Sequence, residues 1–412
     1  MKNNKRIVIC ILLIVIMIGT LLVISNKPKK TFNYNESTIA LLVNGKVSNT
    51  FPSKGLYQID ITCDNADGVW DIDNWKLDIK NITGNVSCNV SFTSNPKLLS
   101  NVVNTTSTSG EVSGNGLLYK SDYGVRYKGN NPNNYIWYNG ELYRIIGKTP
   151  VCTAVNTDNT CKTWNNNGLV KIIRNDSIGG LVYNANTTSS STWVGSTIQK
   201  NLNECFLGQI NSRSNTTCSA YCYSYYSGSQ KPVSKCDYTQ NGIATSGDYY
   251  NMIYNGVYWN IGFDGSSPTT TGKTQYDKEK TSQTSTTLKV GLMYASDYGY
   301  ATVGGSTTNR EGCRAKELFN WKDESYSDCK NNDWVYNSQS ISWGSNKEEW
   351  VISPYTSTRY TASRFRSTGS IDANYLVADG QFLVRPTFYL DSSILKIVGT
   401  GDGTKDNAYR VG

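Results

Sequence analysis

The sequence predicts a β-rich α+β protein preceded by one amino-terminal membrane helix. Three observations carry that prediction. They are an uninterrupted apolar run from Ile7 to Ile24, period-two apolar patterns from residue 38 onward, and a cysteine framework set among Tyr, Asn, Ser and Thr.

The membrane helix comes first in the chain. Its eighteen residues carry no charged side chain, with Lys2, Lys5 and Arg6 before it and Lys27, Lys29 and Lys30 after it. Such a helix spans about 27 Å, close to the roughly 30 Å hydrocarbon core of a bilayer. A cleaved secretory signal has a shorter apolar stretch, about 7–15 residues, and a small-residue cleavage site. Val23-Ile24-Ser25 is a passable site without the Ala-x-Ala pattern, so an uncleaved signal anchor is favoured over a cleaved signal. Residues 1–30 are therefore read as a cytoplasmic tip and anchor. The basic flanks are nearly balanced and do not orient the helix; the cysteines do.

Beyond Cys10 stand Cys63, Cys88, Cys152, Cys161, Cys205, Cys218, Cys222, Cys236, Cys313 and Cys329, with no Cys-x-x-Cys pair among them. The chain has no histidine in 412 residues. Mixed Cys/His zinc sites, Ser/His/Asp triads and Cys/His dyads are thereby excluded. Disulfides in an oxidising compartment are the better reading, which places the chain after residue 30 outside the cell membrane. Neither a metal nor a cofactor is expected.

Net charge is +8. Six of the 40 basic residues lie in the first 30 positions, which hold no acid, leaving 34 basic against 32 acidic residues elsewhere. No basic face rises from that balance, so a nucleic-acid partner has no support.

Residues 31–94 are expected to form a small all-β, sandwich-like domain. Tyr57, Ile59, Ile61 and Cys63 alternate, as do Trp75, Leu77 and Ile79, and then Val86, Cys88, Val90 and Phe92. Alternation puts one strand face into a core and the other toward water. Cys63 and Cys88 share the inward phase, so a bridge across neighbouring strands is expected. Residues 95–116 are polar and read as a linker, apart from Leu98 to Val103, which has the makings of one or two helical turns.

Residues 117–412 are expected to form one larger α+β domain. Leu142 to Ile146 and Leu169 to Ile173 read as buried strands, the first following an Asn139-Gly140 hairpin turn. Ser196 to Gly208 reads as a helix opened by a capping box of Ser196 and Gln199. Val257 to Phe263, Leu288 to Tyr294, Trp350 to Ile352 and Gln381 to Leu390 read as further strands. Ser121-Asp122-Tyr123-Gly124 recurs as Ser296-Asp297-Tyr298-Gly299, a short echo.

Candidate site residues lie in several segments. Tyr221, Tyr223, Tyr225 and Tyr226 lie in a cysteine-dense loop, where tyrosines stack on sugars or cover the core. Cys313 with Cys329 and Cys152 with Cys161 are expected to close loops, whereas Cys205, Cys218, Cys222 and Cys236 allow three connectivities. Asp402, Thr404 and Asp406 carry alternating oxygen ligands without the terminal Glu of a calcium loop, which favours a turn. Glu348 and Glu349 are adjacent carboxylates, and neighbours on a strand point to opposite faces. Arg364, Arg366 and Arg385 fall in phases suited either to an anion site or to structural pairing.

The stretches Asn133 to Gly147, Lys171 to Gly179, Gly291 to Ala301 and Val384 to Leu390, with Gly401 to Thr404 and Asn407 to Tyr409, carry a resemblance. They resemble an uncharacterised extracellular domain family of low-GC Gram-positive bacteria, distantly similar to C-type-lectin-like and formylglycine-generating-enzyme-like folds. That resemblance implies a twisted α+β domain with long loops and a ligand face, and it brings no catalytic residue with it. Formylglycine-generating enzymes use a cysteine pair near the carboxyl end, and this chain has no cysteine after Cys329. The expectation is a membrane-anchored surface protein with a non-catalytic binding or adhesion domain for a glycan or protein. The alternative is a carbohydrate hydrolase using paired carboxylates.

Overall fold

The computed structural model describes residues 37–94, 97–104, 117–121, 124–185, 192–226, 229–232, 236–262, 271–338, 348–354, 361–376 and 382–412. The apolar run at 7–24 lies outside them, and among the described residues no helix is long and apolar enough to cross a membrane. The chain divides into two compact units, Met1–Pro52 with Asp60–Ser91 and Ser53–Ile59 with Phe92–Gly412.

The smaller unit is built of strands, with antiparallel hairpins at Thr38–Val43 with Lys46–Val47 and at Asp67–Asp71 with Lys76–Lys80. A four-stranded sheet runs in the order Lys46–Val47, Thr38–Val43, Ser87–Thr93, Gln58–Asp64, and Asp67–Asp71 pairs with Lys76–Lys80 in a second sheet. Asn44 and Gly45, both at positive φ, make the tight turn of the first hairpin. The alternation holds on Ser87–Thr93, where Cys88, Val90 and Phe92 are buried. Trp75 departs from it. This residue sits in the turn before its strand at positive φ, donates from Nε1 to the Pro52 carbonyl (2.6 Å), and packs edge-on against Trp70. Cys63 and Cys88 are disulfide-bonded across neighbouring strands.

The larger unit is organised by a nine-stranded sheet. Its order is Val290–Gly291, Thr387–Leu390, Cys161–Arg174, Glu141–Val155, Tyr135–Tyr138, Tyr409–Val411, Ile397–Val398. Gly124–Lys128 pairs with Glu141–Val155, and Leu117–Ser121 pairs outside it. Two strands form the spine because consecutive residues serve both faces. Ile145 and Ile172 enter one hydrophobic cluster and Ile146 and Ile173 the other. A second sheet of five strands runs Gly180–Leu181, Phe382–Leu383, Glu349–Pro354, Thr361–Phe365, Ile371–Leu376.

Several expected elements take a different form. Asn139-Gly140 is the predicted hairpin turn, both residues at positive φ. The Ser196 helix is α-helical only over Thr197–Lys200, then widens to a π turn over Asn201–Phe206. Its capping box is half formed: Ser196 Oγ accepts from Gln199 N, but Gln199 Oε1 accepts from Gly195 N instead of Ser196 N. Among the described residues, Val257 to Gly262 makes only isolated bridges at Tyr258 and Asn260. Leu288 to Tyr294 contributes two strand residues because Tyr294 caps the Ala295–Ala301 helix. The run ending at Leu390 breaks into Phe382–Leu383 and Thr387–Leu390 around Pro386, which has no N–H for a ladder. The Ser-Asp-Tyr-Gly echo is not structural: Ser296 to Gly299 is helical, whereas Ser121 ends one strand and Gly124 begins the next. Leu99–Val102 is the anticipated helical turn, and Leu99 and Val103 are buried in the core.

Candidate functional site

A buried group of four charges lies inside the larger unit, assembled from six elements. Register starts it. Gly147 faces Arg126 on one side and Lys171 on the other, and Lys171 faces Tyr389, so four strands set these residues in one lateral row. Residues opposed in this way share a sheet face. Gly147 permits the approach, since a Cβ there would lie 2.2 Å from the Val125 carbonyl oxygen.

The Ala295–Ala301 helix supplies the counter-charge. Asp297 Oδ1 lies 2.6 Å from Arg126 Nη1, and Oδ2 lies 2.6 Å from Lys171 Nζ. Oδ2 also accepts from the Tyr294 backbone N–H (2.8 Å), which ties the carboxylate to its own helix start. Lys171 Nζ sits 3.4 Å from the centroid of the Tyr294 ring, with Trp259 and Tyr389 at 5.5 and 5.6 Å. Aromatic faces favour a desolvated cation. Burial pushes Asp297 up, but Lys171 and Arg126 outweigh it and hold the carboxyl below its ordinary range. Burial pulls Lys171 down, only partly offset by Asp297.

Glu279 completes the group from the end of the Gly272–Glu279 helix. Its carboxylate accepts from Ser296 Oγ (2.5 Å), Ser296 N (3.1 Å) and Gln275 Nε2 (3.2 Å). Burial raises Glu279 to about 7, against those bonds. That helix docks through glycine: a Cβ on Gly299 would lie 2.9 Å from Gly272 Cα. Arg126, Lys171, Glu279, Ser296 and Asp297 are all buried.

This group was not among the sequence candidates. A signal for it existed, because a lysine at the centre of the buried strand Leu169 to Ile173 needs a partner. Nothing pointed to Glu279.

The expected candidates fall elsewhere. Cysteines pair as Cys152–Cys161, Cys205–Cys218, Cys222–Cys236 and Cys313–Cys329, which selects one of the three open connectivities. Buried Asn201 organises that loop, donating to the Tyr221 carbonyl and accepting from Tyr238 Oη (2.7 Å). Tyr221 is half-buried against the core, with Lys200 Nζ 5.4 Å from its ring centroid. The side chains of Tyr223, Tyr225 and Tyr226 lie outside the described residues, although their backbone pairs with Ser229–Pro232. Asp402 accepts from Thr404 N and Oγ1, so this segment is a turn stabilised by its own side chain. Among the described residues, no three His, Cys, Asp or Glu side chains gather where they would hold a metal ion.

Glu348 and Glu349 diverge, Glu349 opening the Glu349–Pro354 strand and Glu348 preceding it. Glu348 meets Arg364 (2.6 Å) and Arg366 (3.4 Å), which also meet Asp372. Glu349 meets Arg385 in a fully buried pair. The three arginines are therefore spent on carboxylates of this chain and do not converge on an anion site.

Fold and site together define a disulfide-bonded α+β protein whose main charge cluster is sealed within it. Comparison with protein families, with curated proteins and with solved structures finds no match to this chain.

Proposed function

We propose that the chain is a membrane-anchored extracytoplasmic surface protein. Residues 117–412 form a C-type-lectin-like, non-catalytic binding domain for a glycan or protein ligand, carried on the small β domain and anchored by residues 7–24. One observation supports the non-catalytic reading: Arg126, Lys171, Asp297 and Glu279 are buried and held by ion pairs or hydrogen bonds within the protein. Both adjacent glutamates are likewise held by arginines, which removes the support the sequence offered for a paired-carboxylate hydrolase. Five disulfides suit an oxidising compartment.

The test is binding of oxidised protein, residues 31–412, to arrays of glycans and extracellular-matrix proteins. Saturable binding lost on reduction of the disulfides is the expected outcome. Silence across the arrays together with turnover of any polysaccharide would overturn the reading. Membrane extraction at alkaline pH checks the anchor separately, since an integral protein stays with the bilayer.

A further inference from the structure

We propose that Lys171 and Asp297 condense to an intramolecular amide, a self-formed cross-link between the central sheet and the Ala295–Ala301 helix. The inference is independent of what the domain binds. It starts from geometry: Nζ lies 2.6 Å from Oδ2, both side chains are 0% exposed, and the carboxyl carbon is one bond beyond that oxygen. Two groups held this way by rigid elements react as if at very high concentration, and a dry site removes the water that reverses amide formation. Trp259, Tyr294 and Tyr389 wall the amine.

The remaining contacts sort by role. Arg126 Nη1 faces Oδ1 at 2.6 Å, where negative charge gathers when the amine adds to the carbon. Oδ1 thus becomes the amide oxygen and Oδ2 the leaving oxygen. Lys171 enters as an ammonium with three protons. Two pass to Oδ2, the N–C bond forms, the C–Oδ2 bond breaks, and one water departs; the third proton stays on the amide nitrogen. One positive and one negative charge are consumed, and no oxidant, reductant or second substrate enters. Glu279 is bonded to Ser296, the residue beside Asp297, and its charge acts on both reacting groups. Burial weakens the hold of Lys171 on its proton and strengthens that of Glu279, while Lys171 and Arg126 keep Asp297 ionised until the protons pass. Burial favours the product, since a neutral amide replaces two desolvated charges.

The products of a bare ion pair and of a cross-link differ by the mass of one water. Full-length protein, reduced and alkylated, is digested and its peptides are read by mass spectrometry. This readout does not depend on where the amino terminus lies. A branched peptide joining Lys171 to Asp297, lighter by one water than its two parts, is the expected result. Lys171→Arg and Asp297→Ala should each abolish it. Should those variants fail to fold, Asp297→Asn keeps the shape and expels ammonia instead of water, ending in the same branched peptide. Recovery of Lys171 and Asp297 only in separate, unmodified linear peptides from folded wild-type protein would overturn the proposal and leave a permanent ion pair.

Discussion

Removing the Glu349 carboxylate separates a structural acid from a catalytic one. Arg385 and Glu349 are 0% and 1% exposed, and Arg385 Nε donates to the two carboxylate oxygens at 3.0 and 2.9 Å. Arg385 Nη1 adds a bond to Ser338 Oγ (3.0 Å). Glu349→Ala leaves a buried guanidinium without its counter-charge, a loss of roughly 3–5 kcal/mol. At about 2–4 °C per kcal/mol for a domain of this size, Tm should fall by about 6–20 °C. The double variant Glu349→Leu with Arg385→Met replaces the pair by apolar groups of similar bulk, and should return to within about 1–2 kcal/mol of wild type. Guanidinium unfolding followed by tryptophan fluorescence, with disulfides intact, measures both. A carboxylate kept for chemistry gives the opposite signature, since removing a strained active-site charge leaves stability unchanged or raised. A wild-type midpoint for Glu349→Ala, or a double variant as unstable as the sum of its singles, would refute the reasoning.

Burial raises Glu279 from 4.5 to about 7 in the folded state. Its stabilising contribution is therefore complete below about pH 4.5 and lost as pH rises through about 7, about 3 kcal/mol in total. Glu279→Gln should flatten that slope in unfolding midpoints taken from about pH 4.5 to 8, and equal slopes in the two proteins would count against it. Gly147→Ala drives a methyl into the Val125 carbonyl, 2.2 Å from the new Cβ, and should destabilise by about 1–3 kcal/mol or more; amide exchange should quicken first along Gly124–Lys128. Cys63→Ser with Cys88→Ser opens a loop of 25 residues, worth about 3–4 kcal/mol by loop-closure entropy. Limited proteolysis should then cut the small unit while the larger one persists; joint loss of both would contradict the division.

What the sequence made legible was periodicity and turn chemistry. Alternation located the buried phase of Ser87–Thr93, and Asn139-Gly140 located a hairpin, because both signals are local and set by backbone sterics. Pairing of Cys63 with Cys88 followed from the same phase argument. What stayed hidden depended on contacts distant in sequence. The Ser196 helix widens to a π turn at Asn201, whose amide bonds to the Tyr221 carbonyl and the Tyr238 hydroxyl, and no helical pattern registers such a demand. Gln199 serves the cap as its spacing from Ser196 predicts, but its partner is set by the path of Gly195. Lys171 and Asp297 are separated by 126 residues, so only the register of four strands reveals that they meet.

The position of that meeting explains a feature of the chain that composition alone leaves odd. Nine Phe and ten Trp residues stand beside 29 Tyr, and tyrosine brings to an interior both an apolar ring and a hydroxyl that needs a partner. Here several rings serve as walls for cations: Tyr294 for Lys171, Tyr135 for Arg144 at 3.8 Å, and Tyr300 for both Arg126 and Arg314. A cation so walled is costly to strand, so each one selects a single arrangement of the strands and helices around it. Asn134 shows the same logic, its amide bonded to the Ile145 carbonyl and to Arg144 Nε. Specificity of the fold thus rests on polar contacts at the sheet, whereas the disulfides act locally, closing loops of 9 to 16 residues in the larger unit. Under the proposed binding function, an interior committed in this way leaves recognition to the surface. On that proposal the segment from Cys205 to Cys236, whose four cysteines pair within it, is the place where substitutions should alter binding without disturbing the charge row.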